Sequence, residues 1–244
     1  MEHDRDQSQG QDRANDYDGF AEAYAAENEG SLVNAFYERP AMLALAADVS
    51  GRRILDAGCG SGPLTAALRD RGAVVTGLDS SAGMLALARR RLGDDAALHL
   101  VDLRERLPFA DGAFDDVVAS LVLHYLEDWG PTLAELRRVL RPGGRLIASV
   151  DHPFVAYTIQ DPRPDYFAAG SYSFDWTFIG TAVPMTFWRK SLHAMTGAFA
   201  AAGFRLSVIS EPQPDPAARE LFPDGFQDLA STPCFLFFVV EAPL

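Results

Sequence analysis

The sequence has few cysteines and no long uninterrupted apolar run. Cys59 and Cys234 are the only cysteines among the 244 residues, so we expect no disulfide framework and a reducing environment. No apolar run approaches the roughly 20 residues that cross a bilayer. The N-terminal stretch MEHDRDQSQGQDRAN is polar and lacks the apolar segment of a signal peptide. These features predict a cytoplasmic protein with a disordered tail over residues 1–15.

Basic residues are also scarce relative to acidic ones. Lys and Arg total 21, Asp and Glu total 34, and the formal net charge is −13. A field of that sign repels a phosphate backbone unless a local basic patch overrides it. The 48% hydrophobic content is enough for one sizeable core. We therefore expect one main domain that binds a small molecule, with neither nucleic acid nor membrane as its partner; the oligomeric state is left open.

The chain begins with helical patterns and then alternates strands with helices. YDGFAEAY, residues 17–24, has the aromatic and alanine spacing of one helical face, and PAMLALAADV predicts a helix that begins near Pro40. From residue 52, apolar strands are separated by helices, which predicts a doubly wound, mostly parallel α/β sheet. The predicted strands are 52–58, 73–79, 97–102, 115–123 and 145–151, and the predicted helices between them are 63–72, 81–92 and 131–140.

Residues 152–190 interrupt this alternation. They hold ten of the 26 aromatic residues and little helical periodicity, which favours an inserted lid over a substrate pocket. A helix near 190–204 and two strands, 204–211 and 234–242, then complete the sheet with an antiparallel finish. The predicted organisation is thus a tail, a cofactor-binding half over 16–151, the lid over 152–190 and a C-terminal completion over 191–244.

A glycine-rich loop follows the first strand in ILDAGCGSGPLT. Gly58, Gly60 and Gly62 form GxGxG, and Asp79 ends the next strand, where its carboxylate can accept hydrogen bonds from two ribose hydroxyls. A dinucleotide favours GxGxxG, but Pro63 stands at the last of those glycine positions. Asp56, just before the loop, would repel a pyrophosphate and can meet an ammonium group. The pattern predicts a nucleoside without phosphates.

A third acidic residue ends the third predicted strand. Asp102 can accept a hydrogen bond from an exocyclic adenine amine, and the backbone N–H of Leu103 can bond to the ring. Asp at a strand end is also a common turn former. Three acids at successive strand ends, however, favour a nucleoside site over chance.

These motifs together resemble the class I S-adenosylmethionine-dependent methyltransferases, especially the ubiquinone and menaquinone branch. The resemblance covers roughly residues 15–151, in ILDAGCGSG, VTGLDSSAGMLALAR, LVDLRERLPFADGAFDDVVASLVLHYLED and LRPGGRLIAS. It implies a Rossmann-like fold with seven strands and S-adenosylmethionine as the cofactor. It also implies that the early helix closes over the cofactor. The cofactor-binding residues implied in this way are Tyr24, Asp56, Gly58, Gly60, Gly62, Asp79, Ser80, Met84, Asp102 and Leu103.

Two histidines follow strands whose carboxyl ends should face the cleft. His124 follows the fourth strand and His152 the fifth, so either can act as a base toward an acceptor, and either can be structural. Asp151 and His152 point to opposite faces of a strand and no third ligand is apparent, so we expect no metal. The aromatic insertion favours an apolar or aromatic small substrate.

The expected activity is methyl transfer to such a metabolite by direct in-line displacement. Three alternatives stay open. The same cofactor can cyclise or eliminate to release methylthioadenosine, the chain can be a cofactor-binding regulator without catalysis, or it can be an NAD oxidoreductase, which Pro63 disfavours. The sequence does not distinguish oxygen, nitrogen or carbon as the acceptor atom.

Overall fold

The computed structural model describes residues 15, 17–178 and 181–244. The predicted disordered tail therefore lies outside the described residues, except at its last residue. Asn15 is held by Thr186: its side-chain amide donates to the Thr186 carbonyl at 2.8 Å, and its Oδ1 accepts from the Thr186 N–H at 2.9 Å. The described chain thus begins with a residue that is bonded to the 152–190 insertion.

A mixed seven-stranded sheet forms the centre of the protein, as predicted. The strand order is β3-β2-β1-β4-β5-β9-β8, in which β1 to β5 are parallel and β9 is antiparallel to both β5 and β8. The order reverses beside β1, which creates a crevice at the carboxyl ends of the strands. The strands are β1 (Arg53–Ala57), β2 (Val74–Asp79), β3 (Leu98–Leu100), β4 (Phe114–Ser120), β5 (Leu140–Asp151), β8 (Arg205–Ser210) and β9 (Phe235–Glu241).

Helices cover both faces of this sheet. Several begin with a proline in the first turn, where the missing N–H leaves no hydrogen bond unmade, and Ser81 caps α4 by accepting from the Met84 N–H at 3.0 Å. A π-helical turn, Asn34–Glu38, runs directly into α2. The helices are α1 (Ala21–Gly30), α2 (Arg39–Ala46), α3 (Pro63–Asp70), α4 (Ala82–Leu92), α5 (Gly130–Val139), α6 (Pro153–Thr158), α7 (Leu192–Ala201), α8 (Ala218–Leu221) and α9 (Pro223–Ser231).

Alternation along the strands divides the apolar core between the two faces. In β1, Ile54 packs with Met42 of α2 and Leu68 of α3, whereas Leu55 packs on the opposite face with the cluster that contains Leu133 of α5. All five side chains are fully buried. Burial of an aliphatic side chain contributes about 1.5–3 kcal/mol, so the two clusters fix the strand ends that form the crevice.

Three predicted strand boundaries were wrong. The third strand is short, so Asp102 lies two residues beyond it. The fourth strand ends at Ser120, because Leu121 adopts φ 49° and turns the chain into a 3₁₀ turn over Leu123–Tyr125. The fifth strand begins at Leu140, which pairs with Phe114 ahead of a register shift.

The 152–190 insertion is more regular than its sequence suggested. It contains α6 and an antiparallel hairpin of β6 (Gly170–Phe178) and β7 (Thr181–Arg189). Tyr172, Phe174 and Trp176, at alternate positions of β6, fall on one face of the hairpin. No helix in the described part of the chain is long and apolar enough to cross a membrane.

Candidate functional site

The glycine loop joins β1 to α3 and requires left-handed backbone. Gly58, Gly60 and Gly62 have φ values of 81°, 55° and 80°. A Cβ at Gly58 would lie 2.6 Å from Cγ2 of Val122, so no side chain fits there without displacement. A Cβ at Gly60 would meet no atom within 4 Å among those described, so this turn of the loop borders open space. The loop is thus a bare backbone surface at the crevice.

Asp79 connects this loop to the start of α4. Its carboxylate accepts hydrogen bonds from the Gly60 N–H at 2.8 Å and from the Ser81 N–H at 2.9 Å. Burial raises the pKa of Asp79, and the backbone hydrogen bonds oppose that rise. Each carboxylate oxygen can accept two hydrogen bonds, so the group retains capacity for ligand hydroxyls. Ser80, beside it, is exposed.

Asp56 is buried below the loop, and one of its two carboxylate oxygens accepts no hydrogen bond from the described residues. Its Oδ2 accepts from the Thr65 hydroxyl at 2.6 Å, and Oδ1 has no partner among the described residues. Burial raises the pKa of Asp56 to about 7, and the carboxylates of Glu38 and Asp79 add to the rise. A buried acceptor without a partner is costly, and a cationic donor would satisfy it.

Glu38 is an acidic residue of the site that sequence reasoning missed. It is 4% exposed, and its Oε1 accepts from the hydroxyls of Ser120 at 2.7 Å and Ser149 at 2.6 Å, at the ends of β4 and β5. Burial raises the pKa of Glu38, and the serine hydrogen bonds oppose this. The only feature that marks Glu38 in the sequence is its position directly after two aromatic residues in AFYERP. Together with Asp56 and Asp79, it gives the crevice an acidic lining that favours a cation.

The residues expected around adenine lie beyond β2 and β3. Met84 is 2% exposed at the start of α4, and Leu103 is 7% exposed and accepts through its carbonyl from the Thr132 hydroxyl at 2.8 Å. Asp102 accepts from the Arg104 N–H and pairs with its guanidinium at 2.6 Å, and these contacts lower the pKa of Asp102. The Asp102 carboxylate thus has a cationic partner that sequence reasoning did not anticipate.

The segment of residues 17–24 contacts α4, the 3₁₀ turn after β4 and the hairpin. Tyr17 and Tyr125 share a hydroxyl–hydroxyl hydrogen bond of 2.5 Å, and Tyr24 stacks on Trp176 of β6 with ring planes 7° apart. Asp18 accepts from the Ser81 hydroxyl at 2.5 Å, which ties the same segment to α4. The segment therefore bridges the glycine-loop side of the crevice and the aromatic insertion.

His124 lies against the hairpin, in the 3₁₀ turn after β4. Its Nδ1 accepts from the Asp151 N–H at 3.1 Å, and Nε2 is buried without a partner in the described structure. Its ring packs edge to face on Phe187 at 5.3 Å. Burial lowers the pKa of His124, so the ring is neutral at physiological pH.

His152 caps α6 and is engaged at both ring nitrogens. Nδ1 accepts from the Phe154 N–H at 3.2 Å, so Nε2 carries the proton and donates to Glu211 at 2.8 Å. These contacts favour the structural reading of His152, and its catalytic role stays a prediction. No group of three or more metal-ligating side chains occurs among residues 15, 17–178 and 181–244.

The match to a family model coincides with this half of the sheet. A model described as "Methyltransferase domain" matches residues 55–148, from β1 into β5. That range contains the glycine loop, Asp79, Asp102 and His124, and it ends before the hairpin.

Two similar proteins and one similar solved structure are also named as methyltransferases. The chain is 42% identical over 109 residues to a malonyl-[acyl-carrier protein] O-methyltransferase of Serratia marcescens, covering 44% of this chain and 42% of that protein. It is 40% identical over 133 residues to a demethylmenaquinone methyltransferase of Clavibacter sepedonicus, covering 54% of each. The matches thus span about half the length of these relatives. An S-adenosylmethionine-dependent methyltransferase from Mesorhizobium loti has a TM-score of 0.72 and 28% identity, covering 88% of this chain and 99% of its own.

Proposed function

This chain belongs to the class I S-adenosylmethionine-dependent methyltransferase family, and we propose that it transfers a methyl group from that cofactor to a small apolar or aromatic metabolite. The observation that carries the proposal is the buried Oδ1 of Asp56, which has no partner among the described residues and lies beside the bare glycine loop. An acidic crevice of this kind suits a ligand with an ammonium and a sulfonium and without phosphates.

The cofactor-binding residues follow from their positions at the strand ends. Asp56 would accept from the cofactor ammonium and Asp79 from the ribose hydroxyls. Gly58, Gly60 and Gly62 would let the backbone approach the amino-acid part. Ser80, Met84, Asp102 and Leu103 would surround the ribose and adenine, and Tyr24 would cover the site from α1.

The insertion is proposed to enclose the acceptor. The cofactor when bound supplies an electrophilic methyl group on its sulfonium, so the chain must orient a nucleophile and exclude water. The aromatic face of the hairpin would supply apolar surface for both tasks, and Trp176 stacks on Tyr24 of α1. Residues 16–151 would thus hold the cofactor, 152–190 the acceptor, and 191–244 would complete the sheet.

The acceptor is not assigned from the relatives. One relative is named for malonyl-[acyl-carrier protein] and the other for demethylmenaquinone, and the match to the family model ends at residue 148, before the hairpin. The aromatic face of the hairpin therefore favours an apolar or aromatic metabolite.

The test is incubation of the purified protein with S-adenosylmethionine, with and without a panel of aromatic and apolar acids, phenols and amines. S-Adenosylhomocysteine formed only when an acceptor is present supports methyl transfer. Methylthioadenosine formed without acceptor indicates cyclisation or elimination instead, and binding without any product indicates a regulator. Asp79→Ala should abolish turnover, whereas Asp175→Asn on the exposed hairpin face should not.

A further inference from the structure

One face of the hairpin combines aromatic rings with a single cation. Strand pairing sets Tyr172 opposite Phe187 and Gly170 opposite Arg189, so the Tyr172, Phe187 and Arg189 side chains share a face. Phe187 is 2% and Arg189 is 6% exposed, so these two side chains point inward. The His124 ring contacts the same Phe187 ring at 5.3 Å, and Arg189 follows Phe187 by two residues, about 7 Å along the strand.

Arg189 is a buried cation without a carboxylate partner in the described chain. Its Nη1 donates to the carbonyls of Asp165 at 2.8 Å and Ala168 at 2.6 Å, and its Nε has no hydrogen-bond partner among the described residues. A buried guanidinium whose charge is not compensated is costly. An anion at the site would supply the missing charge and accept the free donor.

His124 offers a second free donor on the same side. Because a backbone N–H can only donate, the contact from Asp151 to Nδ1 fixes the proton of the neutral ring on Nε2. That N–H is buried and unpartnered in the described structure. His124 is therefore arranged to donate to a ligand and not to remove a proton from it.

The described groups around His124 include no histidine that is free to act as a base. Both nitrogens of His152 are engaged, by Phe154 and Glu211, and Asp151 already accepts from the Tyr172 hydroxyl at 2.8 Å. A neutral hydroxyl acceptor would have to lose its proton to one of these groups. An acceptor that is already ionised needs no such transfer.

On the basis of the function proposed above, we propose that the acceptor carries an anionic oxygen, a carboxylate or an acidic phenolate, bound by the Arg189 guanidinium and the His124 Nε2–H. This oxygen would form the new O–CH3 bond with its own electron pair. The C–S bond breaks, its electron pair stays on sulfur as a neutral thioether, and the product is a neutral ester or ether. No proton moves, in agreement with the absence of a free histidine base among the described strand-end residues.

The test compares anions with neutral analogues of similar shape by calorimetry, on protein saturated with S-adenosylhomocysteine. The pairs are benzoate with benzamide and 4-nitrophenolate with 4-nitroanisole, which separates carboxylates from phenolates. We expect at least one anion to bind about tenfold or more tightly than its neutral partner, as a charged hydrogen bond implies. Equal binding within both pairs, or no binding of any probe, would overturn the proposal. Failure of S-adenosylhomocysteine to bind would instead refute the proposed function.

Variants assign the effect to the two donors. Arg189→Gln should remove the preference for the anion, whereas Arg163→Gln, at an exposed arginine over the Tyr157 ring of the same insertion, should retain it. His124→Phe should weaken anion binding, and His124→Gln, which keeps an N–H donor, should restore part of it. If Arg189→Gln does not fold, the proposal is still tested by His124→Phe and His124→Gln and by the comparison of anions with neutral analogues in the wild type. An unchanged preference in His124→Phe and in a folded Arg189→Gln contradicts the assignment.

Discussion

Thr65 donates its hydroxyl to Oδ2 of Asp56 at 2.6 Å and leaves Oδ1 buried without a partner among the described residues. Asp56 belongs to β1 and Thr65 to the first turns of α3, so the contact joins the two ends of the glycine loop. The free oxygen gives the crevice a defined acceptor for a cationic group.

The first prediction concerns the stability of the free protein. Burial raises the pKa of Asp56 from 3.8 to about 7, so between these values the folded state holds a proton that the unfolded state has released. The Asp56 contribution to stability is therefore lost as pH rises from about 4 to about 7. Asp56→Asn should become progressively more stable relative to wild type across this window, measured by urea unfolding. Thr65→Val removes an opposing hydrogen bond and should extend the loss to higher pH. A difference between Asp56→Asn and wild type that is independent of pH would contradict the assignment.

The second prediction concerns ligand binding by the same carboxylate. A group with a pKa of about 7 goes from about one tenth to about nine tenths ionised between pH 6 and pH 8. Affinity for S-adenosylhomocysteine should therefore rise by up to about tenfold over this range in the wild type. Asp56→Asn should bind more weakly and lose this dependence. Calorimetric titrations at each pH check both points, and a wild-type affinity that falls toward pH 8 would count against the role of Asp56.

The third prediction concerns the Gly58 and Val122 contact. Gly58→Ala places a Cβ 2.6 Å from Val122 Cγ2 on backbone with φ 81°, so it should destabilise the protein by about 1–3 kcal/mol. Val122→Ala in the same background should recover part of this loss, because it removes the 2.6 Å contact with Cγ2 and leaves the 3.0 Å contact with Cβ and the backbone strain. Chemical unfolding of both variants and of Val122→Ala alone measures the recovery. If the changes in the free energy of unfolding of Gly58→Ala and Val122→Ala add up in the double variant, the two side chains do not clash.

The fourth prediction concerns the stack between Tyr24 and Trp176. Its rings are 6.3 Å apart and nearly parallel, which is typical of a coupling of about 0.5–1.5 kcal/mol. A double-mutant cycle with Tyr24→Ala and Trp176→Ala should give that coupling, and both changes should weaken cofactor binding if the segment closes the crevice. A matched cycle of Tyr24→Ala with Asp175→Asn, on the opposite hairpin face, should give no coupling. Equal values from the two cycles would contradict the bridge.

Periodicity and motif spacing were sufficient for the sheet and the cofactor side. Parallel strands must be apolar because both faces are covered, so ILDAG and VTGLD were predictable as strands that carry Asp56 and Asp79 at their carboxyl ends. The glycine loop was predictable because its GxGxG spacing indicates a backbone that excludes side chains. The antiparallel finish was predicted from two strands without an intervening helix; the finish is present, but that premise was wrong, because α8 and α9 lie between β8 and β9.

The insertion and the partners of single residues were not predictable in the same way. Tyr172, Phe174 and Trp176 alternate with polar residues, which is typical of a strand. This alternation was not recognised because the whole segment is rich in aromatic residues. Glu38 joins the candidate site only because folding places it against Ser120 and Ser149, over 80 residues away. Tertiary contacts also decide the tautomer of His124, which no local pattern encodes.

The central claim is that the acidic, glycine-lined crevice binds the cofactor. A calorimetric titration of S-adenosylhomocysteine into the purified chain tests it most directly, with Asp79→Ala and Asp79→Asn beside the exposed control Asp175→Asn. We predict one site in the wild type and in Asp175→Asn, at least about tenfold weaker binding in Asp79→Ala, and an intermediate loss in Asp79→Asn, which keeps one acceptor oxygen. No binding to the wild type at millimolar ligand, or equal affinity in all four proteins, would contradict the account.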